Sequence, residues 1–225
     1  MSLPRSNTKQ RILDSAESLF AQQGLAATSL RAVIAAADVN SAAIHYHFGS
    51  KEALVEAVFE RRIEPVNRER LARLQHLEAS AGDSGVAMVE LLEAFIHPLL
   101  KLGQELGDRG PVVVRLLGRL RSEEPDSLIA LAQAHMREVH GRFSRAAAQS
   151  VEGLTQEEAS ERFEYVHAAV AWILTHLAHA SEKPPEYVEL QDRFQRMINF
   201  MEVGLQQPSR IRMENLRPND NGAAR

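Results

Sequence analysis

Apolar side chains recur along this chain at intervals of three and four residues, and the alternation expected of strands is nearly absent. That period constrains the fold more than any single motif. Stripes of this kind must be covered, and with no sheet to cover them the helices must pack on one another. Leu, Ala, Glu, Arg and Gln are abundant and favour helix, while Gly and Pro gather between the periodic segments.

The breaks set the expected elements. A first helix is predicted from Thr8 to about Gln23, with Asn7 as N-cap, Gln10 in capping-box position and Gly24 as the stop. A short second helix follows Thr28 and ends near Ala37, and a third lies between Asn40 and His47. Gly49 interrupts the chain, and Ser50 is placed to cap a long fourth helix from Lys51. Further helices are predicted at about 86–102, 112–123, 126–151, 156–182 and 186–206, the first of them kinked at Pro98. Residues 208–225 lack periodicity and are expected to be a disordered tail.

At 225 residues the chain can bury a substantial core without staples. It has no cysteine, which excludes disulfides, zinc–thiolate sites and a cysteine nucleophile. The start, MSLPRSNTKQ, has no apolar signal region. The apolar run Ala168–Leu174 has seven residues, far short of the roughly 18 that indicate a membrane span. The expectation is a soluble cytoplasmic protein with no membrane contact.

The sharpest signal is TSLRAVIAAADVNSAAIHYHF, residues 28–48. Two short helices joined by a tight turn at Asp38–Val39 form a helix-turn-helix pattern. Leu30, Val33, Ile34, Ala37, Val39 and Ile44 are spaced to pack the pair together and onto the first helix. Asn40 can cap the third helix. The small residues Ser41, Ala42 and Ala43 then let its N-terminal end approach base edges. His45 and Tyr46 carry groups able to reach bases or phosphates. Lys51, at a helix N-terminus, opposes the helix dipole unless an anion such as phosphate lies nearby.

These residues resemble the DNA-binding head of TetR-type bacterial transcriptional regulators. The likeness runs from Thr8 to Val58, through RILDSAESLFAQQG and ATSLRAVIAAADVNSAAIHYHFGSKEAL. It implies an all-α protein: a three-helix DNA-binding head at residues 1–50, then a helical bundle for ligand and dimerisation at 51–207. It also implies a homodimer on palindromic double-stranded operator DNA and a small-molecule effector. By position, Ser41, Ala42, Ala43, His45 and Tyr46 would face the groove or its phosphate edges, Thr28, Arg31 and Lys51 would hold the backbone, and Asn40 at the start of the third helix is counted with them among the DNA-binding residues. Phe48 would be core and His47 a buttress. Two residues depart from the family pattern: Asp38 where Gly is usual in the turn, and His45 where Tyr is common. Asp tolerates left-handed backbone.

The last two long helices carry more. Across 163–179, Phe163, Val166, His167, Val170, Leu174 and Leu177 share one face. Tyr165, Ala168, Ala169, Trp172, Thr175, His176 and His179 share the opposite one. A helix apolar on two faces needs a second partner or a cavity. Tyr187, Leu190, Phe194, Met197, Ile198, Met201 and Leu205 form a similar stripe. The expected dimer interface is Ala168, Ala169, Trp172, His176, Phe194, Met197 and Met201; the plain alternative is that both stripes are intrachain core. Candidate pocket walls are Phe95, Leu99, Leu116, Met136, Val139, His140, Phe143 and Trp172, with Pro98 and Gly141 making room for a hydrophobic ligand bearing a polar group.

Other chemistry is poorly supported. His135 and His140 lie five residues apart, about 140° around a helix, and do not converge on one ion. His176 and His179 have a better spacing but read as surface or interface histidines. There is no phosphate-binding loop, nucleophile elbow or dinucleotide fingerprint, and neither cofactor nor metal is expected. A helical carrier and a helical hydrolase are the alternatives. The net charge of −4 conceals a division: five basic against three acidic residues in 1–51, and 21 against 27 in the remainder. A mildly basic head on an acidic body fits local DNA binding rather than a basic coat protein.

Overall fold

A computed structural model of the chain describes residues 5–106, 112–113, 116–117, 126–179 and 187–207. Among the described residues the structure is all-helical, with eight bounded α-helices and no strand. They are α1 (Arg5–Gln23), α2 (Leu30–Ala37), α3 (Ser41–His47), α4 (Lys51–Ala81), α5 (Met88–Glu105), α6 (Asp126–Ser150), α7 (Gln156–His179) and α8 (Tyr187–Leu205). A single 3-10 turn, Gly82–Ser84, ends α4. The predicted helix at 112–123 lies mostly outside the described residues, but 112–113 and 116–117 are helical. The predicted tail at 208–225 lies wholly outside them.

The local signals around the first three turns act as their chemistry requires. Gly24, at φ 88, donates its N–H to the Phe20 carbonyl and ends α1. Ser29, Asn40 and Ser50 each stand in extended backbone, and their side chains accept from Ala32, Ala43 and Ala53 N–H. One boundary differs: α1 already includes Asn7, which is therefore not its cap. Apolar periodicity does not fix the first residue of a polar helix start. Pro98 lies within α5 without ending it, and α4 likewise continues through Pro65.

In the head, α1 packs on α2, α3 and the start of α4 around Ile12, Ala16, Phe20, Val33, Ile44, Leu54 and Val58. In the body, α4 packs on α5 and α6, α6 on α7, and α8 along α5. Phe95, Phe143, Phe163 and Phe194 are fully buried there. Phe95 meets Phe143 and Phe163 edge-on, at ring-centroid distances of 5.4 and 5.9 Å.

Charge joins the two parts. Glu17 of α1 is 1% exposed and accepts from Nε and Nη2 of Arg62 on α4, both at 2.6 Å. Arg61 beside it reaches Asp14 at 2.7 Å. The Arg62 fork fixes both the distance and the rotation of α4 against α1. Removing one partner leaves a buried charge alone. Glu17→Ala is therefore expected to cost about 3–5 kcal/mol, read as a lower urea midpoint. The double replacement Glu17→Leu with Arg62→Met is expected to recover most of that loss.

Candidate nucleic-acid interface

The surface of α3 is set by the turn before it. Asp38 stands at φ 49, ψ 55, and among the described residues it is the only non-glycine with positive φ. Its carbonyl and carboxylate both accept from Arg11 Nη2, at 2.7 and 3.1 Å. Arg11 thus ties the left-handed turn to α1, a contact that the sequence reading missed. The turn aims α3 so that Ile44 is buried while Ser41, Ala42, His45 and Tyr46 are exposed.

Tyr46 is 76% exposed, so its hydroxyl is available to phosphate or base. His45 Nδ1 lies 3.2 Å from the Gly49 carbonyl. A carbonyl can only accept, so Nδ1 is the donor in this contact. Asn40 spends Oδ1 on the Ala43 N–H at 2.8 Å, and its role here is to cap α3. Arg31 is exposed on α2. Lys51 Nζ donates to the Ala26 carbonyl at 3.3 Å, which holds the ammonium over the loop between α1 and α2. His47 is half-buried, stacked edge-on with Tyr46. Phe48 is half-buried against the core, with Lys9 Nζ 6.0 Å from its ring centroid.

Two expectations change. Thr28 is 1% exposed, and its hydroxyl donates to the Gly24 carbonyl at 2.7 Å. Its side chain secures the end of α1 and is not offered to a phosphate. Ala43 is half-buried against the core, because it follows the inner edge of α3 beside Ile44. Ser41 and Ala42 remain as the small exposed residues.

The residues chosen as pocket walls fall into two groups. Phe95, Leu99, Leu116, Val139 and Phe143 are buried, while Met136 and His140 are half-buried. His140 stacks on His167 at 5.6 Å and shares a hydrogen bond with Ser160 at 2.8 Å. His135 instead lies 3.6 Å from Glu60. Gly141 has open space where a side chain would stand. Trp172 does not belong with them: it is 64% exposed, on the far face of α7 from Phe163 and Val166, with its ring stacked on His176.

Sequence reasoning missed Arg70, which is buried among these helices. Its Nε donates to the Phe95 carbonyl at 2.7 Å, and its guanidinium lies 4.1 Å from the Phe95 ring centroid. Burial lowers its pKa to about 9, so it is still a cation at neutral pH. The available signal was a charged residue on the apolar stripe of α4, in register with Val66 and Leu74.

The expected dimer residues also divide. Ala168 and His176 are exposed and Ala169 is half-buried. Phe194 is fully buried within its own chain, and Met197 and Met201 pack against that core. The predicted α8 stripe faces inward because α5 covers it. Among the described side chains of α8, the exposed large apolar ones are Phe200 and Val203.

An N-capped α3 carrying exposed Ser41, Ala42, His45 and Tyr46 on a three-helix head defines a helix-turn-helix DNA-binding protein. Bacterial regulatory proteins of the tetR family match residues 12–58, and the Tetracyclin repressor-like C-terminal domain matches residues 93–204. A helix-turn-helix transcriptional repressor of Mycobacterium tuberculosis is 32% identical over 176 residues, covering 76% of this chain and 90% of that protein. The chain belongs to the TetR family of transcriptional regulators. Its fold is shared by a TetR-family regulator from Syntrophomonas wolfei, at TM-score 0.63 and 16% identity, over 90% of this chain and 98% of that one. SmeT, the repressor of the Stenotrophomonas maltophilia multidrug efflux pump SmeDEF, has TM-score 0.60 and 20% identity, over 88% and 91%. Family members are regulators rather than enzymes, which removes the hydrolase reading.

Tyr46→Ala is expected to weaken DNA binding about 10- to 100-fold with the oligomeric state unchanged, measured by fluorescence anisotropy and light scattering. Lys51→Ala is expected to weaken binding to all sequences alike and to lower the salt slope by about one.

Proposed function

We propose that this chain is a cytoplasmic repressor, which binds a palindromic operator as a homodimer and leaves it when a small hydrophobic effector enters the body. The observation that carries the reading is the exposed surface of α3, braced by Asn40 and the Arg11–Asp38 contact. Residues 1–50 act as the DNA-binding domain and 51–207 as the effector and dimerisation domain. Ser41, Ala42, His45 and Tyr46 meet the groove, while Arg31 and Lys51 hold phosphates.

A second copy of this chain is the proposed occupant of the outer faces of α7 and α8. Tyr165 and Trp172 on the first, and Phe200 and Val203 on the second, are large apolar residues left in water. Such a patch on two adjoining helices calls for a partner. A palindromic site calls for a two-fold related copy, with recognition helices about 34–36 Å apart. Repression then depends on head spacing. The effector, bound among α4, α5 and α6 near Phe95, Leu99, Met136, Val139 and Phe143, favours a spacing that no longer fits.

DNA upstream of the chain's own gene is the test substrate. Saturable binding that falls steeply with added salt supports the reading, and binding no better than to random DNA overturns it. Trp172→Glu and Phe200→Glu are each expected to shift the protein towards monomer in analytical ultracentrifugation and to weaken operator binding at least about 10-fold. A monomeric wild-type chain at micromolar concentration would sink the dimer.

A further inference from the structure

Arg70 differs from the other arginines of the body. Arg73, Arg142, Arg162 and Arg193 each reach a carboxylate within 3.1 Å, and all are at least partly open to solvent. Arg62 is buried but has Glu17. Arg70 is 3% exposed, and among the described residues its partners are neutral. Nε donates to the Phe95 carbonyl at 2.7 Å, Nη1 donates to Asn67 Oδ1 at 3.0 Å, and the same nitrogen lies 3.7 Å from Met136 Sδ. Asn67 is held in place by donating Nδ2 to the His135 carbonyl at 3.0 Å.

Among the described residues only dipoles surround this sealed cation, an arrangement that destabilises a fold relative to an apolar side chain of the same size. Part of its contact pattern has a local use. Pro98 supplies no N–H to the Ala94 carbonyl, and Arg70 binds the neighbouring carbonyl in that open turn. That use needs one donor and no charge. The thioether contact is the weakest acceptor in the set, and Met136 is half-buried and flexible. It is the neighbour most easily displaced by a stronger acceptor arriving from outside.

We propose that Arg70 is the receptor for the carboxylate of an anionic, largely apolar effector, which displaces Met136 and lays its apolar part against Phe95, Leu99 and Val139. This rests on the effector-responsive reading above and assigns its ligand class. The planar guanidinium fork matches a carboxylate. One positive charge among apolar walls suits a monoanion and leaves a phosphate dianion undercompensated. Arg70 also shares its helix face with Arg62, eight residues earlier and about 12 Å along the axis. An anion drawn to Arg70 therefore acts on the helix that the head is clamped to.

The test uses matched probes on the full chain. Binding of decanoate and 4-phenylbutyrate is compared with decanol and 4-phenylbutanol by calorimetry. At least one carboxylate is expected to bind 10-fold or more tightly than its alcohol. In Arg70→Met the ratio is expected to fall to about one, with alcohol binding kept; Arg70→Lys is expected to keep part of the preference. If the Met variant does not fold, Arg70→Gln carries the same readout. A wild type that binds acid and alcohol alike, or neither, overturns the proposal, as does an acid preference that survives loss of the guanidinium. Arg70-dependent binding that leaves operator affinity unchanged would keep the anion site and refute the effector reading. Operator release by a ligand indifferent to Arg70 would do the reverse.

Discussion

Glu17 and Arg62 meet through two hydrogen bonds of 2.6 Å in a place that water does not reach. Two apolar residues of similar volume would fill that space at no electrostatic cost. They would not fix its geometry. A Leu–Met contact lets α4 slide or roll against α1, whereas a two-point fork permits one distance and one rotation. The flanking Arg61–Asp14 pair adds a second tie on the solvent side. Where α3 stands relative to the body follows from these contacts, because α2 and α3 are packed onto α1.

Much of the head was legible in the sequence because its turns use residues with few alternatives. Ser29, Asn40 and Ser50 each precede an apolar run and cap it, and Gly24 and Asp38 mark the left-handed stops. What escaped was chemistry between distant positions. Thr28 looks like a phosphate ligand until its hydroxyl is seen to be used by Gly24. Arg11 lies 27 residues from Asp38, and nothing local announces their contact.

In the body, periodicity identified faces but not their neighbours. On α7 the described residues of the two faces stand as the period predicts, with Phe163 and Val166 inside and Trp172 outside. On α8 the richer stripe suggests a partner, although it is the one that α5 covers. An apolar stripe demands burial without saying by what. Buried charge was the other blind spot. Glu17, Arg62 and Arg70 count as ordinary helix surface in any composition. Their position on otherwise apolar stripes is the mark that sets them apart, and it is visible only when each charge is checked against the helical period.

Pro65 lies between the two buried arginines of α4. It has no N–H for the Arg61 carbonyl, so the hydrogen-bond ladder lacks a rung there. A helix bends most easily at such a point. The segment from Lys51 to Pro65 is then an arm that pivots at Pro65, with the three-helix head packed at its far end. Over the roughly 21 Å of that arm, a tilt of about 5° moves the far end by about 2 Å. In the two-fold pair proposed above, two such arms would swing in opposite senses, and the gap between them would change by twice the movement of either.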